Sequence, residues 1–183
     1  MFVENSSVSV YTLFVNQSEA VFLNFSCRKL LQMASRIGTC LDSLTEAQIW
    51  ARSNDTSNAV GHLVLHLAGN VRQWIISGVG GAPDTRQRDT EFDACPFGSA
   101  ELSQLLTSTL TEAIGTLRAL PEEKLMQTLE IQGFRLTALE AIYHAVEHFS
   151  GHTFQIILLA KAQRNRPFDF YGYLTGPHEN ETP

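Results

Sequence analysis

Four long stretches of the sequence repeat apolar residues at three- and four-residue steps, and this pattern limits the fold more than any other feature. The stretches cover residues 18–41, 58–77, 99–120 and 137–165. Apolar residues spaced in this way lie along one face of a helix, and that face must be buried against another element. Since 183 residues are enough for one domain with a sizeable core, the pattern predicts an all-α four-helix bundle over residues 1–183.

Two capping boxes predict where helices begin. Thr45 with Gln48, and Thr137 with Glu140, each place a threonine three residues before a Gln or Glu. In that arrangement each side chain accepts a hydrogen bond from the backbone N–H group of the other residue. The first box predicts a short helix at residues 46–51, and the second marks the start of the last long helix.

The connections between the helices differ in character. Glycines and a proline at residues 78–83 end the second long helix. The polar stretch 84–98 then forms a long crossover, and connections of this length in compact domains are often functional. Pro121 ends the third helix. Residues 125–136 read as a small β-hairpin with its turn at Gln132–Gly133.

The two ends of the chain carry weaker signals. Residues 1–16 fit either a short extended arm or a lead-in to the first helix. Residues 167–183 form a tail that is expected to fold back onto the bundle, because disordered tails rarely contain so many aromatic residues. These aromatic residues are Phe168, Phe170, Tyr171 and Tyr173.

Charge and cysteine content exclude several classes of protein. A formal net charge of -6 argues against non-specific nucleic-acid binding. No apolar run approaches the ~20 residues of a membrane span, and no basic residue precedes Arg28, as a signal peptide would require. Cys27, Cys40 and Cys95 are too few and too widely spaced for a disulfide framework. We therefore expect a cytoplasmic protein with reduced thiols that serve in packing.

Five of the six histidines fall in two short windows of predicted helix. His144, His148 and His152 stand at i, i+4 and i+8, and His62 and His66 stand at i and i+4. Residues four apart lie one above the other on a helix face. Two such sets on two amphipathic helices indicate that the helices meet and share one divalent metal ion.

A helical wheel orders these side chains by their distance from the core. His66, His148 and His152 lie nearest to the buried faces and form the best set of three ligands, with His62 and His144 at the rim. Neutral imidazole suits zinc, nickel, iron or copper. Three protein ligands leave positions open for water or substrate, which is typical of a catalytic ion.

Other interpretations of the same histidines stay open. They fit ordinary core-edge residues that hydrogen-bond to the backbone or to Glu147. Residues 144–148 also match H-x-x-E-H, the inverted zinc-peptidase pattern, with Glu147 as the base. That pattern leaves His66 and His152 without a role. The Glu-x-x-His pairs of di-iron bundles do not occur in the predicted helices.

A few polar residues are further candidates for the site. Gln155 and Asn70, each one turn from a predicted ligand, either hold that ligand or touch a substrate, or are plain polar residues at the flank. Arg86 and Arg88 in the crossover either bind an anionic substrate or form salt bridges within the loop. No residue stands out as the catalytic base.

Three longer stretches resemble the DinB-like superfamily, also called DinB/YfiT-like metalloenzymes. They are HLVLHLAGNVRQWIISGVGGAPD at residues 62–84, IQGF at 131–134 and LEAIYHAVEHFSGHTFQIILL at 139–159. The resemblance covers nearly the whole chain from Leu13 onward and is greatest to a bacterial branch whose function is uncharacterised.

The resemblance implies a fold, a metal and a class of chemistry. The fold is a four-helix bundle with an up-down-down-up path, often a homodimer. The metal is divalent, nickel or zinc, and the family's three histidine ligands fall at His66, His148 and His152. Relatives include thiol-dependent transferases and isomerases as well as metal-dependent hydrolases. The implied function is S-transfer or hydrolysis of a small molecule, with a low-molecular-weight thiol as cosubstrate; the alternative is a non-catalytic small-molecule-binding or dimeric scaffold protein.

Two departures from the family pattern carry expectations of their own. The family reads H-x-G-Q after the last ligand, whereas this chain has Phe154 in place of the glycine, which is expected to crowd a helix contact. Position 62 is histidine where relatives carry asparagine, so His62 is a candidate fourth ligand.

Overall fold

The computed structural model describes residues 7–93 and 97–172, with side chains from residue 18 onward. Its described part contains five α-helices and one β-hairpin, as the sequence predicts. The helices are α1 (Ser7–Asp42), α2 (Glu46–Ile49), α3 (Val60–Val71), α4 (Ser99–Ala119) and α5 (Ala138–Arg164). The strands are β1 (Thr128–Ile131) and β2 (Phe134–Thr137). Helix α3 continues as π-helical turns over Arg72–Val79, and short 3-10 turns cover Arg88–Phe92 and Glu122–Met126.

The four long helices pack as a bundle around one hydrophobic core. Both α1 and α3 lie against α4 and α5. Each long helix contributes fully buried apolar side chains to the core, which include Leu30, Ile37, Leu67, Leu117 and Phe149. The predicted all-α four-helix bundle with its crossover and hairpin is therefore confirmed.

Helices α3 and α5 run antiparallel, and this arrangement positions the site. At the middle of α3, the ring of His66 lies against His152 near the middle of α5. Two turns further along, Trp74 lies against His144, which comes earlier in α5. The opposed order of these contacts is the one that the up-down-down-up path requires.

The capping boxes and the hairpin form as predicted. The Thr45 hydroxyl accepts a hydrogen bond from the Gln48 N–H group, and the Thr137 hydroxyl accepts one from Glu140. Gln132 and Gly133 have φ angles of 53° and 79°, the left-handed conformation that a two-residue hairpin turn needs. The strands pair antiparallel, with Ile131 opposite Phe134.

The start of the first helix differs from the prediction. Helix α1 begins at Ser7 rather than near Ser18. Of the two interpretations of residues 1–16, the structure therefore supports the lead-in to the first helix over the extended arm from Ser7 onward, and residues 1–6 lie outside the described residues. The first glycine of the chain is Gly38 and the first proline is Pro83. Because nothing in the sequence breaks a helix near residue 18, the backbone stays helical through it.

The tail returns to the bundle, as its aromatic residues predict. Phe168 and Phe170 stack with centroids 5.1 Å apart and pack against the core. Arg36 of α1 lies over the rings of Phe170 and Tyr171, and its guanidinium donates a 3.3 Å hydrogen bond to the Tyr171 hydroxyl. Tyr173 falls outside the described residues.

The described helices test two further expectations, that no segment spans a membrane and that the cysteines are reduced and serve in packing. None of them is both long and apolar enough to cross a bilayer. Cys27 and Cys40 are free and buried. Burial raises the pKa of both thiols, that of Cys40 to about 11, so they stay protonated and serve in packing. Cys95 lies outside the described residues.

Candidate metal centre

Three imidazoles meet where α3 faces α5. His66 comes from α3, and His148 and His152 come from consecutive turns of α5. One ring nitrogen from each lies within 4.8 Å of the other two, and His66 Nε2 is 2.9 Å from His148 Nε2. The three residues that the helical wheel selects are therefore brought together in space, and one ion could be held by all three.

The three rings differ in their burial. His66 is 6% exposed, whereas His148 and His152 are half-buried. Phe92 of the crossover contacts the buried member of the cluster, with its ring centroid 5.3 Å from that of His66. The exposed surface of the cluster therefore belongs mainly to His148 and His152 of α5.

The environment keeps the imidazoles of His148 and His152 neutral, which is the state that binds metals. Burial lowers the pKa of His148 to about 3, and nearby His152 and His66 lower it further in the same direction. Burial also lowers the pKa of His152, although its hydrogen bond to Gln155 opposes this shift. Metal binding near pH 7 therefore has little proton competition at either of these positions.

Gln155 holds the ring of His152. Its amide oxygen lies 2.8 Å from His152 Nδ1, and because an amide oxygen only accepts, Nδ1 carries the hydrogen. This tautomer leaves His152 Nε2 with a free lone pair for a metal. Of the two roles considered for Gln155 near the site, contact with the ligand is the one that the structure supports.

Glu91, which the sequence analysis missed, contacts the cluster directly. Its Oε2 atom lies 2.8 Å from His66 Nδ1, and Glu91 is only 8% exposed. It comes from the 3-10 turn Arg88–Phe92 of the crossover, where no periodic pattern marks a buried residue. The only available signal was its place in a long polar connection beside a phenylalanine.

Arg86 keeps Glu91 ionised. The guanidinium donates from Nε to Oε1 at 2.6 Å and from Nη2 to Oε2 at 2.8 Å, a bidentate pair. Burial alone would raise the pKa of Glu91, but the hydrogen bonds and charges of Arg86 and His66 outweigh it, and the pKa is lowered. The carboxylate is therefore negative at neutral pH.

Arg86 also ties the crossover to the rest of the bundle. Its Nη1 group donates to Gln73 Oε1 at 2.9 Å, and Gln73 donates to Asp84 Oδ2 at 2.7 Å. Gln132 of the hairpin donates to the same Gln73 oxygen. The salt-bridge interpretation of Arg86 is thus confirmed. Arg88 lies over the Phe92 ring, 5.6 Å from its centroid.

The remaining rim candidates do not enter the cluster. The ring of His144 stacks 5.6 Å from His148 and lies 4.1 Å from the ring of Trp74. Asn70 is buried, and its Oδ1 atom has no hydrogen-bond partner among the described residues. Glu147 is exposed to solvent. The grouping of three histidines from two helices favours that set over the H-x-x-E-H pattern, which uses α5 alone.

His62 and Phe154 correct two expectations. His62 is buried at the start of α3, where its Nδ1 accepts a 3.1 Å hydrogen bond from the Ala59 N–H group and its ring meets Trp50. It caps the helix and is not at the rim of the cluster or a fourth ligand. Phe154 is 54% exposed, so it crowds no helix contact.

With this geometry established, solved structures identify the fold. A DinB-like protein from Bacillus subtilis superposes with a TM-score of 0.63 at 15% identity, covering 80% of this chain and 96% of that one. A DinB-like protein from Bacillus cereus gives a TM-score of 0.60 at 15% identity, covering 72% and 86%. The chain therefore has the helical fold of the DinB-like proteins, as the sequence resemblance implied.

The sequence itself identifies the family. The model of the family described as "Protein of unknown function (DUF1572)" matches residues 17–175. The chain belongs to that family. No curated protein matches it by sequence.

Proposed function

We propose that this protein is a divalent-metal-dependent enzyme that acts on a small molecule. The observation that supports it best is the convergence of His66, His148 and His152, with ligand atoms within 4.8 Å of one another. Imidazole ligands match nickel or zinc, and three protein ligands leave coordination positions open. The arrangement resembles a catalytic site more than a structural one, in which the protein fills all four positions.

The proposed chemistry is S-transfer or hydrolysis. A divalent ion bound here would supply Lewis acidity, which lowers the pKa of a thiol or water bound to it. Two residues of the chain hold and orient the metal ligands. Gln155 fixes the tautomer of His152, and Glu91 contacts His66 on the side away from the cluster. The partly exposed rings of His148 and His152 would give a small electrophile access to the ion. Following the family resemblance, we propose a cytoplasmic homodimer that uses a low-molecular-weight thiol as cosubstrate.

The experiment begins with protein produced without an affinity tag, because such tags bring in metal. Bound metal is measured by elemental analysis, and turnover is measured on a panel of thiol-transfer and hydrolysis substrates. The His148→Ala variant should lose bound metal and turnover together. Turnover that survives the loss of metal would contradict the proposal, and metal without turnover on the whole panel would favour a binding or scaffold protein.

A matched control separates the three-histidine set from the H-x-x-E-H pattern. His144→Ala removes an imidazole one turn from His148 on the same helix. The three-histidine set predicts that this variant keeps its metal, whereas the zinc-peptidase pattern predicts its loss. Glu147→Gln should leave both metal content and turnover unchanged.

A further inference from the structure

We propose that Glu91 is a positioning residue for the metal centre: it fixes the tautomer and the direction of His66, and Arg86 holds it in place. The inference rests on the proposed function, since it concerns how the same site binds its ion. It assigns a role to the crossover between α3 and α4, whose described residues lie outside the three-histidine set.

The first step is the choice of tautomer at His66. A neutral imidazole carries one hydrogen, on either Nδ1 or Nε2, and only the nitrogen without it binds a metal. Glu91 Oε2 lies 2.8 Å from Nδ1, and Arg86 Nη2 lies 3.2 Å from the same atom. A carboxylate cannot face a bare lone pair at the shorter distance, so Nδ1 carries the hydrogen and donates it to Glu91. Nε2 is then free and points at the cluster, where it lies 2.9 Å from His148 Nε2.

The second step is the fixed position of Glu91 itself. Only 3% of the Arg86 side chain and 9% of the Glu91 side chain are exposed, so each charge depends mainly on the other for its hydrogen bonds. The backbone of α3 also approaches closely at Gly69, where an added Cβ would collide with the Glu91 carboxylate. The Glu91 carboxylate is therefore held in one position, between Arg86 and His66.

The third step concerns what this fixation does for a metal. A ligand already turned toward the ion loses less rotational freedom on binding, and a carboxylate partner makes the imidazole a stronger donor. Loss of such a partner typically lowers metal affinity by about 10- to 100-fold. If the Arg86–Glu91 pair served only to hold the crossover, its loss would lower the stability of the fold and leave the affinity for the metal unchanged.

The test compares zinc affinity in two variants that each remove one charge. Glu91→Gln removes the carboxylate beside His66. Glu112→Gln is the matched control, because Glu112 pairs with Arg72 at 2.7 Å and the two side chains are 49% and 42% exposed. Competition with a chromophoric chelator should show a loss of about 10- to 100-fold for Glu91→Gln and no change for Glu112→Gln. Equal affinity in Glu91→Gln and wild type would overturn the inference and leave the proposed function standing.

A second measurement needs neither a variant nor a metal. The ¹⁵N chemical shifts of the His66 ring in wild-type metal-free protein report which nitrogen is protonated. The inference predicts hydrogen on Nδ1, and hydrogen on Nε2 would overturn it even if Glu91→Gln failed to fold. Wild-type protein that binds no zinc would instead contradict the proposed function, while the tautomer would still decide the role of Glu91.

Discussion

The two glycines Gly69 and Gly115 give a sharp test of the packing between the crossover and α3. Both lie inside helices, where replacing glycine by alanine normally stabilises a protein by about 0.5–1 kcal/mol. At Gly115 an added Cβ meets open space, so Gly115→Ala should show this gain. At Gly69 the Cβ would collide with the Glu91 carboxylate and lie 3.0 Å from Arg86 Nε. The same substitution must therefore displace a buried ion pair.

The sizes of two opposing effects decide whether Gly69→Ala raises or lowers the free energy of unfolding. Losing one hydrogen bond between charged groups costs about 1.5–3 kcal/mol. Subtracting the helix gain of about 0.5–1 kcal/mol leaves Gly69→Ala destabilised by about 0.5–2.5 kcal/mol, opposite in sign to Gly115→Ala. The free energy of unfolding from urea titration, monitored by far-UV circular dichroism, measures both. If both variants were stabilised to the same extent, the Arg86–Glu91 pair would not be held against α3 as described.

Three further predictions concern pH, a helix cap and bound metal. The pKa of His148 is about 3 in the folded protein and ordinary when unfolded, so stability is full above pH ~6.5 and falls as the pH drops toward 3, by up to about 1.4 kcal/mol per unit. Metal-free His148→Gln should show a weaker loss between pH 7 and 5 in urea titrations, and an equal loss would refute the assignment. Thr137→Ala removes the cap of α5 and should lower the free energy of unfolding by about 1 kcal/mol, while Thr111→Ala on the exposed side of α4 should change it much less. Zinc at 100 times its dissociation constant should stabilise wild type by about 2.7 kcal/mol and His152→Ala much less, as measured by thermal denaturation with and without chelator.

The parts of the fold that were predictable from the sequence depend on neighbours along the chain. The capping box at Thr137 and the turn at Gln132–Gly133 are short-range patterns with one low-energy conformation. To predict that His148 and His152 lie side by side, only the helical repeat is needed. The contact of these two with His66 required one long-range assumption, that the apolar faces of two helices pack together.

The parts that were missed depend on contacts that no local pattern encodes. Glu91 becomes buried because the crossover folds back onto Gly69, and a polar loop sequence gives no sign of it. On a helical wheel His62 lies on the same flank as His66. It also stands three residues after Ala59, whose backbone N–H group has no partner within the helix and donates a hydrogen bond to the His62 ring. The early start of α1 was missed because the absence of a breaking residue is a weaker signal than the presence of one.

X-ray absorption spectroscopy of the zinc-loaded wild-type protein shows which atoms bind the ion. We predict nitrogen ligands at about 2.0–2.1 Å, with the outer-shell scattering of three imidazoles. The scattering should fall to two imidazoles in His66→Ala if that variant still binds zinc. A sulfur ligand, or scattering from fewer than three imidazoles in wild type, would contradict a site made by His66, His148 and His152.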